Sequence, residues 1–68
     1  MTSLDETERL VRRLSQAIRR VNVGAPASFS IDKQAGFVLK KIGAGGVVSL
    51  ENPSTVRRAI RAMENYRG

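Results

Sequence analysis

The stretch Ser28-Phe29-Ser30-Ile31-Asp32-Lys33-Gln34-Ala35-Gly36-Phe37-Val38-Leu39-Lys40-Lys41-Ile42-Gly43-Ala44-Gly45-Gly46-Val47-Val48-Ser49-Leu50 decides the fold. Its first five residues alternate polar and apolar, the period of a half-buried strand. Lys33-Gln34-Ala35-Gly36 reads as a turn closing on glycine. Phe37 to Ile42 is β-branched and aromatic enough to favour a second strand. Gly43-Ala44-Gly45-Gly46 connects it to a short third strand, Val47 to Leu50. Two hairpins in series predict a three-stranded antiparallel meander over residues 28–50. Alternation turns Phe29, Ile31, Phe37, Leu39, Val48 and Leu50 inward, and Ser28, Ser30, Val38, Lys40, Ile42, Val47 and Ser49 outward. Ile42 is then out of phase with Phe37 and Leu39, which a bulge near Lys40-Lys41 repairs.

Amphipathic helices flank this region. Residues 3–21 open with Ser3-Leu4-Asp5-Glu6, the form of a capping box. Leu10, Val11, Leu14, Ala17, Ile18 and Val21 follow at helical spacing, and Gly24 and Pro26 end the run. Asn52-Pro53 opens a second helix over residues 53–66, with Asn as cap and Pro in the first helical position. Its apolar face is Val56, Ala59, Ile60, Met63 and Tyr66. The expected class is therefore α+β: a small single domain over residues 1–68, of order α-β-β-β-α, with both helices packed on one face of the sheet.

The composition narrows the chemistry. The chain has 68 residues, a formal net charge of +6, and neither cysteine nor histidine. Disulfides, thiolate nucleophiles, thiolate or imidazole metal sites and histidine general bases are thereby excluded. The carboxylates do not form a site either. Asp5, Glu6 and Glu8 suit the start of a helix, and Asp32 with Glu51 is the only other pair at all suggestive of a metal-dependent nuclease. Gly43-Ala44-Gly45-Gly46 lacks the spacing of a phosphate-binding loop and leads into no helix. We expect no enzyme activity, no cofactor and no metal. No apolar run is long enough for a membrane span, and the acidic start is unlike a signal peptide. The absence of cysteine fits a cytoplasmic protein.

Nine of the twelve basic residues are arginine. Arg9, Arg12, Arg13, Arg19 and Arg20 lie opposite the apolar stripe of the first helix. Part of this charge is what any solvated helix face carries, and Asp5–Arg9 and Glu8–Arg12 stand at the favourable i,i+4 spacing. No acid follows Glu8 on that helix, so Arg13, Arg19 and Arg20 have no local partner. Arg57, Arg58 and Arg61 face a single Glu64 on the last helix, two of them near the end where the dipole disfavours cations. Arginine favours planar, bidentate contact with phosphate. Candidate nucleic-acid contacts are therefore Arg13, Arg19, Arg20, Lys40, Arg57, Arg58 and Arg61. With only Phe29, Phe37 and Tyr66 as aromatics, backbone contacts should dominate over base readout. Phe29 and Phe37 read as core, their other role being a sheet-surface stacking pair.

The element order and length resemble the double-stranded-RNA-binding domain, a fold that binds by shape and phosphate contacts. That family places a lysine-rich cluster at the start of its second helix, near where Arg57 and Arg58 stand here. Its Gly-Pro-x-His loop is replaced here by Lys33-Gln34-Ala35-Gly36, and no residue roles are carried over. In size and helix–sheet–helix order the chain is also similar to small viral structural proteins such as head–tail joining proteins. The expected function is a small basic binding module for DNA or RNA phosphates. The alternative is a protein-interaction or assembly module, an inhibitor or viral component. It would use the arginine surface on an acidic partner, or Val38, Ile42 and Val47 of the outer sheet face for self-association into a homo-oligomer.

Overall fold

The computed structural model describes residues 4–67. Three helices follow one another: α1, Leu4–Val21; α2, Ile31–Lys41; and α3, Pro53–Asn65. The α+β class and the three-stranded meander are not what the chain forms. Among the described residues there is no strand and no sheet, and the likeness in element order to the double-stranded-RNA-binding domain goes with them. The Ser3 cap lies outside the described residues.

The reason is a change of period. Ile31, Ala35, Val38, Leu39 and Ile42 fall within an arc of about 100° when wound at 3.6 residues per turn. Ala35, Val38 and Leu39 are buried, and Ile31 and Ile42 are half-buried against them. The strand reading sends Val38 outward, yet it is fully buried; it turns Phe29 and Phe37 inward, yet Phe29 is 39% exposed and Phe37 half-buried. Ile42, out of step in a strand, is in step in this helix. Gly36 is no turn residue, for it sits inside α2 without a positive φ.

The end of α2 is set by Gly43. Its φ of +78° suits glycine. Gly43 N–H donates to Lys40 O at 3.2 Å and Ala44 N–H to Leu39 O at 2.9 Å, the paired bonds of a Schellman motif. Lys40 and Lys41 occupy the last turn, where cations suit the helix dipole. Lys40-Lys41-Ile42-Gly43 is thus a helix terminus.

Val47 to Leu50 pairs with no strand among the described residues. Val48 is buried and Val47 is 84% exposed, so the alternation persists in a loop. Thr55 of α3 pins that loop: Ser49 N–H donates to Thr55 Oγ1 at 2.9 Å, and the hydroxyl lies 2.9 Å from Ser49 O and 2.7 Å from Asn52 O. Asn52 caps α3 as the sequence indicates, its side-chain oxygen accepting from Ser54 N–H at 3.2 Å. With no outer sheet face, Val38 and Ile42 lie against the core, and only Val47 is left exposed of the apolar set offered for self-association.

The core joins all three helices. Leu10, Leu14, Ala17 and Ile18 of α1 bury against Val56, Ala59, Ile60 and Met63 of α3, with α2 closing the third side. The cross-helix pairs Glu6–Arg57, Arg13–Glu64 and Arg20–Met63 O bring start to start and end to end. α1 and α3 therefore run in the same direction. Gln34, early in α2, shares a hollow with Ile18 and Arg19 late in α1, so α2 begins at the end where α1 stops and returns between them.

Two glycine substitutions check this architecture by opposite signs. Gly36→Ala, inside a helix with no atom within 4 Å of an added Cβ, should stabilise by about 0.5–1 kcal/mol. Gly43→Ala, at φ +78°, should destabilise by about 1 kcal/mol. Thermal melts resolve both, at about 4–8 °C per kcal/mol for a domain of this size. A hairpin turn closing on Gly36 would make the first substitution destabilising.

Candidate functional site

The three helices do not gather the seven candidate cations into one patch. Arg13 from α1 and Arg57 and Arg61 from α3 line one surface hollow with Ile60 and Glu64. They meet because α1 and α3 are parallel: Arg13 flanks the Leu10–Leu14 seam on the side toward α3, and Arg57 and Arg61 flank Val56 and Ile60 on the side toward α1. Arg58 is exposed on α3 but borders a different hollow, with Leu39 and the Gly45-Gly46 loop. Arg19 lies beside Asn22 and Gln34 near the start of α2. Lys40 is on α2 beside Phe37 and Lys41.

Several of these cations have partners distant in sequence. Arg13 Nη2 stands 3.5 Å from Glu64 Oε2, and Arg57 Nη2 donates to Glu6 Oε1 at 2.6 Å, all four side chains roughly half exposed. Such exposed pairs are worth about 0.2–1 kcal/mol each. Arg20 does something different. Its Nη1 donates to Met63 O at 2.9 Å and reaches Tyr66 O at 3.4 Å. α3 has no cation in its own last turn, and Arg20 satisfies its end carbonyls from the neighbouring helix. Arg13 and Arg20, expected to lack a local partner on their own helix, find partners across the bundle instead. The side chains of Arg19, Arg58, Arg61 and Lys40 make no hydrogen bond or ion pair among the described residues.

The site's electrostatics are those of a cation surplus held open to water. Three guanidinium groups border the Arg13–Arg57–Arg61 hollow, and Glu64 is its one lining acid. Each guanidinium presents a planar fork of the kind that matches two oxygens of a phosphate or carboxylate.

Phe29 and Phe37, read from the sequence as core or as a sheet-surface stacking pair, form instead a pair on the outer side of a helix, edge to face with centroids 6.4 Å apart. It is this helical setting that sequence reasoning missed. Lys41 Nζ lies 5.4 Å from the Phe37 ring centre. The signal was the position of Phe37 opposite Ala35, Val38 and Leu39 once the segment is wound as a helix. At the start of α2 the Ser30 hydroxyl donates to Asp32 Oδ1. This bond is the largest influence and, with the Lys33 and Asp32 amides, holds the Asp32 carboxyl below its ordinary pKa of 3.8 against the opposing effect of desolvation.

Set against protein-family models, curated proteins and solved structures, the chain matches none of them. No described helix is long and apolar enough to cross a membrane.

Two measurements test these local assignments. Arg20→Met should cost about 0.5–1.5 kcal/mol by removing the donor to Met63 O, while Arg19→Met should stay within about 0.5 kcal/mol of the parent. In an NMR titration, Ser30→Ala should move the Asp32 pKa up toward 3.8. Because the folded-state pKa is the lower one, this bond stabilises above the unfolded-state pKa and is lost as pH falls through the folded-state value. The variant should therefore differ least from the parent in strong acid.

Proposed function

We propose that the protein is a non-enzymatic nucleic-acid-binding module of the cytoplasm that holds phosphates on the Arg13–Arg57–Arg61 surface. The observation that supports this is the convergence of three arginines from two helices on one hollow bordered by a single acid, Glu64. Nothing in the core calls for Arg61 there, since it is exposed and has no partner among the described residues. Arg58, one turn before Arg61 and also exposed, extends the positive surface along α3. A phosphate chain offers repeated anions to such a row, and release of its counterions drives the association.

Arg13 and Arg57 enter this reading already paired with Glu64 and Glu6. Those carboxylates occupy the forks a phosphate would take, so they compete with the ligand. The pairs are exposed and weak, and an incoming phosphate displaces them at small cost. Arg61 bears the direct contact, with Arg13 and Arg57 joining as their acids swing away.

Fluorescence anisotropy with random duplex DNA and RNA, from about 50 mM salt upward, tests the reading. Binding should weaken with salt by about 0.9 log units per log salt for each duplex phosphate held. Arg61→Gln should reduce that slope by about one contact. Glu64→Gln should act the other way, strengthening binding at every salt concentration. Failure of the parent protein to bind at low salt and tens of micromolar protein, or a Glu64→Gln variant that binds more weakly, would overturn the proposal.

A further inference from the structure

The outer face of α2 carries an arrangement that the fold does not use. Phe29, from the loop before the helix, and Phe37, from its solvent side, are in edge-to-face contact at 6.4 Å. Phe29 is 39% exposed and Phe37 only half-buried, although the chain has just these two phenylalanines and no tryptophan. A core this small would gain more from burying both rings. Lysines surround them: Lys33 one turn before Phe37, Lys40 beside it, and Lys41 with its Nζ 5.4 Å from the ring centre. The chain's three lysines all lie on this helix. None of these residues borders the Arg13–Arg57–Arg61 hollow.

We propose that the Phe29–Phe37 pair, with Lys33, Lys40 and Lys41, is a stacking site for an unpaired base of single-stranded nucleic acid. This rests on the nucleic-acid reading above and names the strand form that this second surface takes. The contact with Phe37 holds Phe29 in place, so little ordering is lost when a base lies on the exposed ring. The lysines meet the phosphates on either side of that base, which supplies the charge complementarity. A duplex cannot use the site, because its bases are stacked on one another. A membrane surface suits it less well. Interfacial helices bury a broad apolar face in lipid, whereas the apolar face of α2 is spent in the core through Ala35, Val38 and Leu39.

The test compares labelled strands of about ten nucleotides: oligothymidylate, an abasic strand of the same length, and a duplex. Each is titrated against the parent protein and Phe29→Ala, with circular dichroism to verify the fold. Phe29→Leu, which keeps apolar bulk without a π face, serves as the second variant. Both substitutions should weaken binding to oligothymidylate by a factor of about 5 to 150 and leave the abasic strand and the duplex unchanged. Equal affinity of the parent for abasic and base-bearing strands, with no effect of either substitution, overturns the stacking site while the phosphate reading stands. So does Phe29-dependent binding to vesicles of anionic phospholipid in place of strands. No binding to any strand at low salt removes both readings together.

Discussion

The parallel alignment of α1 and α3 is the constraint on which the rest of the structure depends. Leu14 of α1 and Ile60 and Met63 of α3 are almost wholly excluded from water, and they recur along each helix at the alternating spacings of three and four that make a continuous seam. Two helices pointing the same way cannot be joined by a short turn. The chain between them must travel back along the bundle, and α2 makes that return. At 1.5 Å per residue its 11 residues reach less far than the 18 of α1. The loops on either side, over residues 22–30 and 42–52, make up the difference. Asn22 at φ 51° and Gly43 at φ 78° turn the chain out of α1 and α2 through left-handed conformations that few other residues tolerate.

Burial alone does not set the direction of α3, since an apolar stripe packs about as well either way up. The flanking charges do. α3 has no acid in its first turn and no cation in its last, and α1 provides for both ends: Glu6 pairs with Arg57, and Arg20 meets the carbonyls of Met63 and Tyr66. Turned end for end, α3 would bring Arg57 and Arg58 against Arg19 and Arg20, and Glu64 toward Glu6. The pairs are weak singly. Their effect is to penalise the reversed packing, the use that flanking charges have in coiled coils.

α1 and α3 were legible in the sequence because each combines a long apolar stripe with end signals, as in Asn52-Pro53. The centre was not. Phe37, Val38 and Ile42 carry strand propensity, Gly36 resembles a turn, and 11 helical residues offer barely three turns in which a period can show. Packing between α1 and α3 overrides that local preference. Two signals pointed the other way: the phase error at Ile42, which winding as a helix removes, and glycine directly after a turn containing two lysines. The candidate cations were legible as residue types and not as a site. Arg13 with Glu64 and Arg57 with Glu6 are contacts between residues 51 apart, and no local pattern encodes them before the helix order is known.

The positive charge thereby separates into parts with different causes. Arg20 belongs to the end of α3, and Arg13 and Arg57 are shared between the fold and the surface. Arg19, Arg58, Arg61 and Lys40 have no side-chain partner within the described bundle. Arg19 and Lys40 lie in the last turns of α1 and α2, where the dipole favours cations, and Arg58 and Arg61 have no such account. The type of cation separates as well: α1 and α3 carry arginine and no lysine, while α2 carries lysine and no arginine. A planar fork suits a fixed phosphate, and a flexible ammonium beside a ring suits a backbone whose path varies from base to base. If charge were present only to keep the chain soluble, either residue would serve on any helix. The segregation is what the two surfaces proposed above would need if they met different parts of one ligand.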